Sequence, residues 1–481
     1  MLNPYPVDFS HLFSGLDVRV PILDGSQRRY INLDNAASTP AMLAVLEAIN
    51  QFMPFYSSVH RGNGFKSQLS THAFEAARQD VLAFVGANTQ QHTCIFVKNT
   101  TEAINKLARR FPFSLDRSVV LTSGMEHHSN DLPWRAVTQT VHIRLTKSGR
   151  LDEDDFDVQL ERYAGQIALV AITGASNVTG YLNPLHRLAE KAHAVGAQIA
   201  VDCAQLAPHR CVEILPLEDP AHLDYVSISA HKMYAPFGAG ALIGRKDTFE
   251  SGDPDLVGGG TVEIVTLDDV VWADPPEREE AGSPNTVGAI ALAAAIHQLE
   301  AIGMKAIAQH EAGLTAYALE KLACVPGIQI YGDTRPEFTI NRLGVIPFRL
   351  ENISHFLVSA ILGYEYAIGV RSGCFCAHPY ILHLLGLTHL QAQEVRSKML
   401  SGDKSDMPGM IRASFGLYNT TEDVDALVEA LIRISHAEYQ GKYIQDIASG
   451  EYIPKDWSPV YDHFFSHHSK LYGSGQSSVQ V

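Results

Sequence analysis

From Gln166 to Lys232 the chain alternates apolar runs with a stretch of helical periodicity, a rhythm that predicts a parallel α/β unit. Ile167-Ala168-Leu169-Val170-Ala171-Ile172 reads as a buried strand ending near Thr173, Pro184 to about Val195 as a helix, and Gln198-Ile199-Ala200-Val201 as the next strand. Pro184 suits a first helical position and Gly196 a helix end. Tyr225-Val226-Ser227-Ile228 is a further buried strand. Just beyond these strands stand Ser176-Asn177, Asp202 with Gln205, and Ser229-His231-Lys232. Open α/β sheets hold ligands at the carboxyl ends of their strands, so the three groups are expected at one sheet edge.

The pattern changes after about Gly288, where helical periodicity runs on to Ala323. Shorter strand candidates follow at Ile328–Tyr331, Val345–Phe348, Ala367–Val370 and Ile411–Phe415, with an amphipathic helix after Thr421. The expected organisation is a mostly parallel-sheet large domain over residues 36–287 and a smaller α+β domain from 1–35 with 288–472. Ser401 to Pro408 reads as a polar loop, and the Gly- and Ser-rich stretch 473–481 as a disordered tail.

Composition narrows the class without naming the chemistry. The 481 residues are 46% hydrophobic and 19% charged, ordinary for a globular protein that builds its own core. A formal net charge of -16 disfavours broad binding to nucleic acid or an anionic membrane, while leaving local anion sites open. Met1 to Ser10 lacks a basic segment leading into an apolar run, and no apolar stretch is long enough to cross a bilayer, so a cytoplasmic location is expected. Six cysteines, at 94, 203, 211, 324, 374 and 376, are too sparse for a disulfide framework and lack paired C-x-x-C units, so they are expected to be reduced.

Lys232 is the residue with most chemical promise. Desolvation at a strand end lowers a lysine pKa, and a neutral amine forms a Schiff base with a carbonyl cofactor such as pyridoxal phosphate. Asp202 closes a hydrophobic strand, where a carboxylate needs a cation, and a pyridinium nitrogen would supply one. A structural helix cap would account for Asp202 equally well. Asn99 with Glu102 makes a capping-box-like helix start running toward Arg110, whose first-turn N–H groups, with the Thr100 and Thr101 hydroxyls, suit a phosphate. Every helix start needs such a cap, with or without a ligand. Gln205 is placed to donate to a phenolic oxygen, and a histidine of Met125-Glu126-His127-His128 to lie flat on an aromatic ring. No metal site is expected there, since adjacent histidines diverge and no acidic or cysteine set follows at ligand spacing.

Together these segments resemble the class V aminotransferases, a branch of the fold-type I pyridoxal-phosphate enzymes, and most closely the group II cysteine desulfurases. The resemblance spans nearly the whole chain: Asn32 to Pro40, Val59-His60-Arg61-Gly62, Asn99 to Asn105, Met125 to His128, Val201 to Gln205, Ser229 to Lys232, Ala281 to Thr286 and Arg412-Ala413-Ser414. It implies that Lys232 carries pyridoxal 5'-phosphate and that His127 stacks on its ring. Asp202 and Gln205 would contact the ring substituents, and Thr100, Thr101, Ser229 and His231 the phosphate. Lys232, His127 and Cys376 would be catalytic, and His60, Asn177, Arg371 and Arg412 would hold the substrate, Arg412 gripping its carboxylate with two prongs. Ser283 would reach the phosphate across a dimer interface, which implies a homodimer.

Arg371-Ser372-Gly373-Cys374-Phe375-Cys376 narrows the reaction, because Cys376 falls where the desulfurases keep the cysteine that removes sulfur. The implied activity converts L-cysteine to L-alanine and leaves a persulfide on Cys376 for an acceptor, such as a sulfur-acceptor protein. A carbon-sulfur lyase or an amino-acid epimerase would use Lys232, Asp202 and Arg412 without Cys376, and selenocysteine is not excluded as substrate. Group II members usually carry histidine just before the active cysteine. Here Cys374-Phe375-Cys376 is more like the desulfurase-like domain of molybdenum-cofactor sulfurases. The C-x-C spacing leaves Cys374 as a relay or a bystander. The stretch Leu387 to Met410 is longer than the resemblance predicts and is expected to be a lid, a partner-docking element or a tolerated insertion.

Overall fold

A computed structural model describes residues 7–465, so the expected tail at 473–481 lies outside the described residues. Seven strands form the main sheet: β1 (His92–Val97), β2 (Val119–Ser123), β3 (Gln139–Ile143), β4 (Ile167–Thr173), β5 (Gln198–Asp202), β6 (Tyr225–Ser229) and β7 (Gly240–Arg245). Their order is β1-β7-β6-β5-β4-β2-β3. The pairs β3/β2, β2/β4, β4/β5 and β5/β6 are parallel, and β7 runs against both β6 and β1. Every residue of β4 is buried, the signature of a strand covered on both faces. Alternate residues feed two cores: Val170 and Ile172 point into one, Leu169 and Ala171 into the other.

The helix expected from Pro184 runs from Leu185 to Ala194, with Pro184 at the N-cap rather than inside the first turn. Gly196 follows it at a φ of 73°, the left-handed geometry that ends a helix with little strain. We label the helices that bear on the site α1 (Thr100–Arg110), α2 (Leu185–Ala194), α3 (Thr286–Ile302), α4 (Met304–Leu322), α5 (His389–Leu400) and α6 (Thr421–Ser435). The long pattern beginning near Gly288 is thus two helices. Gly303, at a φ of 91°, separates α3 from α4, which meet at a bend of 76°. No single helix among the described residues is long and apolar enough to cross a membrane.

A second, four-stranded sheet holds β8 (Ile328–Ile330), β9 (Val345–Leu350), β10 (Arg371–Gly373) and β11 (Met410–Ser414), in the order β8-β9-β11-β10. The run expected as a strand at Ala367–Val370 contributes only Ile368–Gly369, which pairs in parallel with Ile31–Asn32. That pairing brings the N-terminal segment beside the small sheet, while Phe13 packs edge-on against Tyr234 in the main core. The stretch from 387 to 410 contains α5, started by a capping box between Thr388 and Gln391.

Candidate active site

The three polar groups expected beyond the strands meet at the carboxyl edge of the main sheet. Around them lies a cavity of about 240 Å3 lined, among others, by Thr101, His127, Asn177, Asp202, Lys232 and Cys376. Thr100, Gln205, Ser229, His231, Arg371 and Arg412 border it too. Ser283 and His60 do not. They line a separate cavity of about 310 Å3 with Tyr56, Arg61 and Gly260, and the His60 Nε2 lies 2.9 Å from Glu75. A single chain therefore does not bring these two expected residues to Lys232.

Lys232 ends a short helical turn that continues β6. Thr39 anchors that turn, its backbone N–H and hydroxyl each donating to the His231 carbonyl at 3.0 Å. Lys232 is only half-buried, yet the protein around its amine and nearby Arg412 lower its pKa to about 8 against the pull of Asp202. Asp202 is buried; its carboxylate accepts the Ala204 N–H at 2.9 Å and has no ion-pair partner within 4.0 Å among the described residues. Burial raises its pKa. Gln205 donates to the Ala36 carbonyl at 2.7 Å.

The N-terminus of α1 faces the same space. Asn99 caps it by accepting the Glu102 N–H at 3.0 Å, while the Glu102 carboxylate turns back to the Lys98 N–H at 2.5 Å. The Ser229 hydroxyl accepts the Thr100 N–H at 2.8 Å and donates to the Thr100 hydroxyl at 2.9 Å, tying β6 to the helix start. Thr101 and Ser129 share a hydroxyl contact of 2.7 Å, and the Ser129 N–H donates to His127 Nδ1 at 3.1 Å. A backbone N–H only donates, so Nδ1 is an acceptor and the neutral ring carries its proton on Nε2. Burial, Lys232, His128 and Arg412 together pull the His127 pKa down to about 3. Burial and Lys232 take His231 to about 4.

Opposite Lys232, Arg412 is buried on β11. Its Nη2 donates to Asp34 at 2.7 Å, its Nη1 to the Asn177 carbonyl at 3.0 Å, and its Nε has no partner. The Asn177 amide donates to the Phe375 carbonyl at 2.8 Å, and the guanidinium lies 5.0 Å from the Phe375 ring centre. Arg371 stands 3.9 Å from Asp34 with its side chain half exposed.

The two cysteines of the C-x-C motif have opposite surroundings. Phe375 and Cys376 have φ of 51° and 54°, a left-handed pair that costs about 1–2 kcal/mol per residue and turns Cys376 outward into the cavity. The Cys376 carbonyl is held by the His128 N–H at 2.8 Å. Cys374 is 5% exposed, its thiol donates to the Pro408 carbonyl at 3.0 Å, and burial pushes its pKa up to about 12. Pro408 belongs to the long 387–410 stretch. Nothing from that stretch lines the Lys232 cavity; with α5 it encloses a mostly apolar hollow of about 550 Å3 behind Cys374, contrary to a lid over the site.

Three site groups escaped the sequence reading. Asp34 is distant from Arg412 in sequence. Ser129 shows no signal of its own. Glu126 stands beside a singled-out histidine, but only the fold buries it, raising its pKa to about 8 despite hydrogen bonds from Ser123 at 2.5 Å and Asn130 at 2.7 Å.

These donors fit pyridoxal 5'-phosphate. Asp202 is a buried anion short of a cation, Lys232 is an amine poised near neutrality, His127 is a neutral ring, and a helix N-terminus with three hydroxyl side chains is chemistry for a phosphate.

Known proteins concur. A cysteine desulfurase of Dickeya dadantii is 34% identical over 440 residues, which cover 89% of this chain and 97% of that protein. A probable cysteine desulfurase of Halalkalibacterium halodurans is 35% identical over 433 residues, 88% of this chain and 96% of the other. Among solved structures, the apo cysteine desulfurase of Thermococcus onnurineus superposes with a TM-score of 0.73 at 31% identity, covering 85% of this chain and 95% of that one. The Escherichia coli cysteine desulfurase CsdA in an S-sulfonic acid form gives 0.72 at 29%, covering 89% and 98%. The aminotransferase class-V model matches residues 31–427, and the chain belongs to that family.

Proposed function

We propose that this protein is a pyridoxal-phosphate-dependent cysteine desulfurase that converts L-cysteine to L-alanine and holds the sulfur as a persulfide on Cys376. The observation that carries this reading is the Cys376 thiol, turned outward by a left-handed backbone into the cavity that also holds Lys232, Asp202 and Arg412. A lyase or epimerase has no need of a thiol there.

Lys232 would carry pyridoxal phosphate, Asp202 would face the ring nitrogen, Gln205 and His127 the ring, and Thr100, Thr101, Ser229 and His231 the phosphate. When bound, the cofactor supplies an electron sink that weakens the bonds at the substrate α-carbon. With a pKa near 8, the Lys232 amine takes and returns the α-proton at modest cost. With the cofactor bound, Asp202 would face the ring nitrogen as an anion and would keep it protonated. Arg412, with Arg371 and Asn177 nearby, orients the substrate carboxylate. Asp34 already holds one Arg412 prong, so the incoming carboxylate takes its place or is shared with Arg371. The Cys376 thiolate attacks the substrate sulfur; the S–C bond breaks with its electron pair passing to the substrate carbon, which is then protonated. Alanine and the Cys376 persulfide result.

His60 and Ser283, in the separate cavity, would complete the site of a second copy in a homodimer. The persulfide on an exposed residue suits hand-over to an acceptor protein in the cytoplasm. The test is to incubate the cofactor-loaded protein with L-cysteine and quantify alanine, pyruvate and protein persulfide in wild type and Cys376→Ala. Alanine with a Cys376-dependent persulfide supports desulfuration. Pyruvate and sulfide formed equally by both proteins would indicate a lyase, and no turnover another amino-acid substrate.

A further inference from the structure

At the opposite end of the main sheet from Lys232, three side chains from separate parts of the chain converge. His193 lies in the last turn of α2, and His222 and Asp224 lie in the segment entering β6. His193 Nε2 is 2.9 Å from Asp224 Oδ2, and His222 Nε2 is 3.2 Å from Asp224 Oδ1. The imidazoles are stacked, with centres 4.0 Å apart and planes at 18°. Asp224 is wholly buried and His222 nearly so, while His193 retains 16% side-chain exposure and gives the cluster a way in from solvent.

The outer nitrogens are already committed. His193 Nδ1 donates to the Pro220 carbonyl at 2.7 Å and His222 Nδ1 to the Asp219 carbonyl at 2.6 Å. An Nδ1–H anchored on a carbonyl is the arrangement that fixes a metal-binding histidine, leaving Nε2 as the ligand atom. Both Nε2 atoms then point at one carboxylate, and all three ligand atoms lie within 4.8 Å of one another. A tetrahedral ion with bonds of 2.0–2.1 Å requires ligand atoms about 3.3 Å apart, and the two nitrogen-to-carboxylate separations of 2.9 and 3.2 Å are near that value.

We propose that His193, His222 and Asp224 form a binding site for one divalent first-row cation of the zinc class. Two imidazole nitrogens and a carboxylate suit such an ion better than magnesium or calcium, which prefer all-oxygen shells. Such an ion would sit between the two Nε2 atoms and the carboxylate, which already face one another. Three neighbours bear on it. Arg245 reaches Asp224 Oδ1 at 3.4 Å but is also held by Asp247 at 2.5 Å, so it keeps a partner when the metal enters. The Ile199 N–H donates to Asp224 Oδ2 at 2.8 Å and holds the carboxylate in place. His92, which starts β1 opposite Arg245, is buried with an unpartnered Nε2 and lies within electrostatic reach of Asp224. Because Lys232 and Asp202 stand at the other ends of the strands, the ion acts as a clip joining α2 to the segment before β6, away from the chemistry.

The experiment uses the full-length, cofactor-loaded protein, stripped of metal by a chelator and titrated with cobalt(II) chloride. The expected result is visible d–d absorption of nitrogen and oxygen ligation saturating at one ion per chain, at least tenfold weaker binding in His193→Gln/His222→Gln, and unchanged turnover of L-cysteine. Equal cobalt binding and spectra in wild type and variant would overturn the proposal, as would a thiolate charge-transfer band as the sole signal. If the double variant does not fold, zinc-soaked wild-type crystals decide. An anomalous peak bonded to His193 and His222 Nε2 supports the site, and its absence at saturating zinc refutes it.

Discussion

Helix α1 treats its two ends in opposite ways. Its first turn leaves donors facing an open cavity: the Thr101 hydroxyl and the helix N-terminus look toward Lys232, whose amine has no ion-pair partner within 4.0 Å among the described residues. Two turns on, Lys106 is more deeply buried than Lys232 and fully paired, with Nζ 2.9 Å from the Glu279 carbonyl, 3.3 Å from Asp255 and 3.4 Å from the Glu279 carboxylate. Arg110 reaches the same Glu279 at 2.7 Å, and Arg109 completes Asp255. A buried charge left alone costs several kcal/mol, so a fold completes its pairs where only stability is at stake. The unfinished pairs at Lys232 and Asp202 mark where a ligand is to supply the missing charges.

The contrast breaks most sharply at the lysines. Lys232→Ala is expected to lower turnover of L-cysteine on the order of 10³–10⁴-fold and to abolish the cofactor's visible band shift, with little change in melting temperature. Lys106→Met should do the reverse. Asp255 keeps Arg109 and Glu279 keeps Arg110, so losing the charge-assisted hydrogen bonds of Lys106 costs about 1.5–3 kcal/mol by denaturant titration, while turnover per folded molecule is kept. If Lys106→Met instead removed the visible band, the two ends of α1 would not be independent.

Arg412→Lys keeps a positive charge but loses the forked donor geometry, so kcat/KM for L-cysteine should fall about 10- to 100-fold, mostly through KM. A loss confined to kcat would argue that Arg412 does not hold the substrate carboxylate. The smallest effect concerns Glu126. Its pKa is raised in the fold, from an ordinary 4.5 to about 8, so the native state binds the extra proton. The stability this confers is fully present below about pH 4.5 and is lost as pH rises through about 8, a total of a few kcal/mol. Glu126→Gln, which cannot ionise, should flatten the melting temperature across that window. An unchanged pH profile would show Glu126 ionised at little cost.

How much was legible in advance depended on whether the signal was local. The α/β rhythm and the Asn99 cap were readable because strand, helix and cap chemistry act over a few residues. The placement of Asp202 at the end of one strand and of Lys232 beyond another followed from the same pattern, and the convergence of these groups followed from parallel sheet topology. Long-range partners were not legible. Asp34 meets Arg412 only because the N-terminal segment lies beside the small sheet, and periodicity carries no information about which distant elements become neighbours. The resemblance singled out Cys376 and left Cys374 open, but the surroundings of the two were not legible: two left-handed residues expose Cys376, while packing against Pro408 buries Cys374.

The sequence by itself determined the chemical inventory and the local elements: a lysine and a carboxylate after apolar strands, a capped helix for an anion, a thiol in a turn. Only the tertiary structure decided which charges were left unpaired, what surrounded each cysteine, and that His60 stood apart from Lys232 in a single chain. The reason is physical. Propensity and capping are set within a few residues, whereas burial, pKa shifts and ion pairing depend on which surfaces the sheet order brings together.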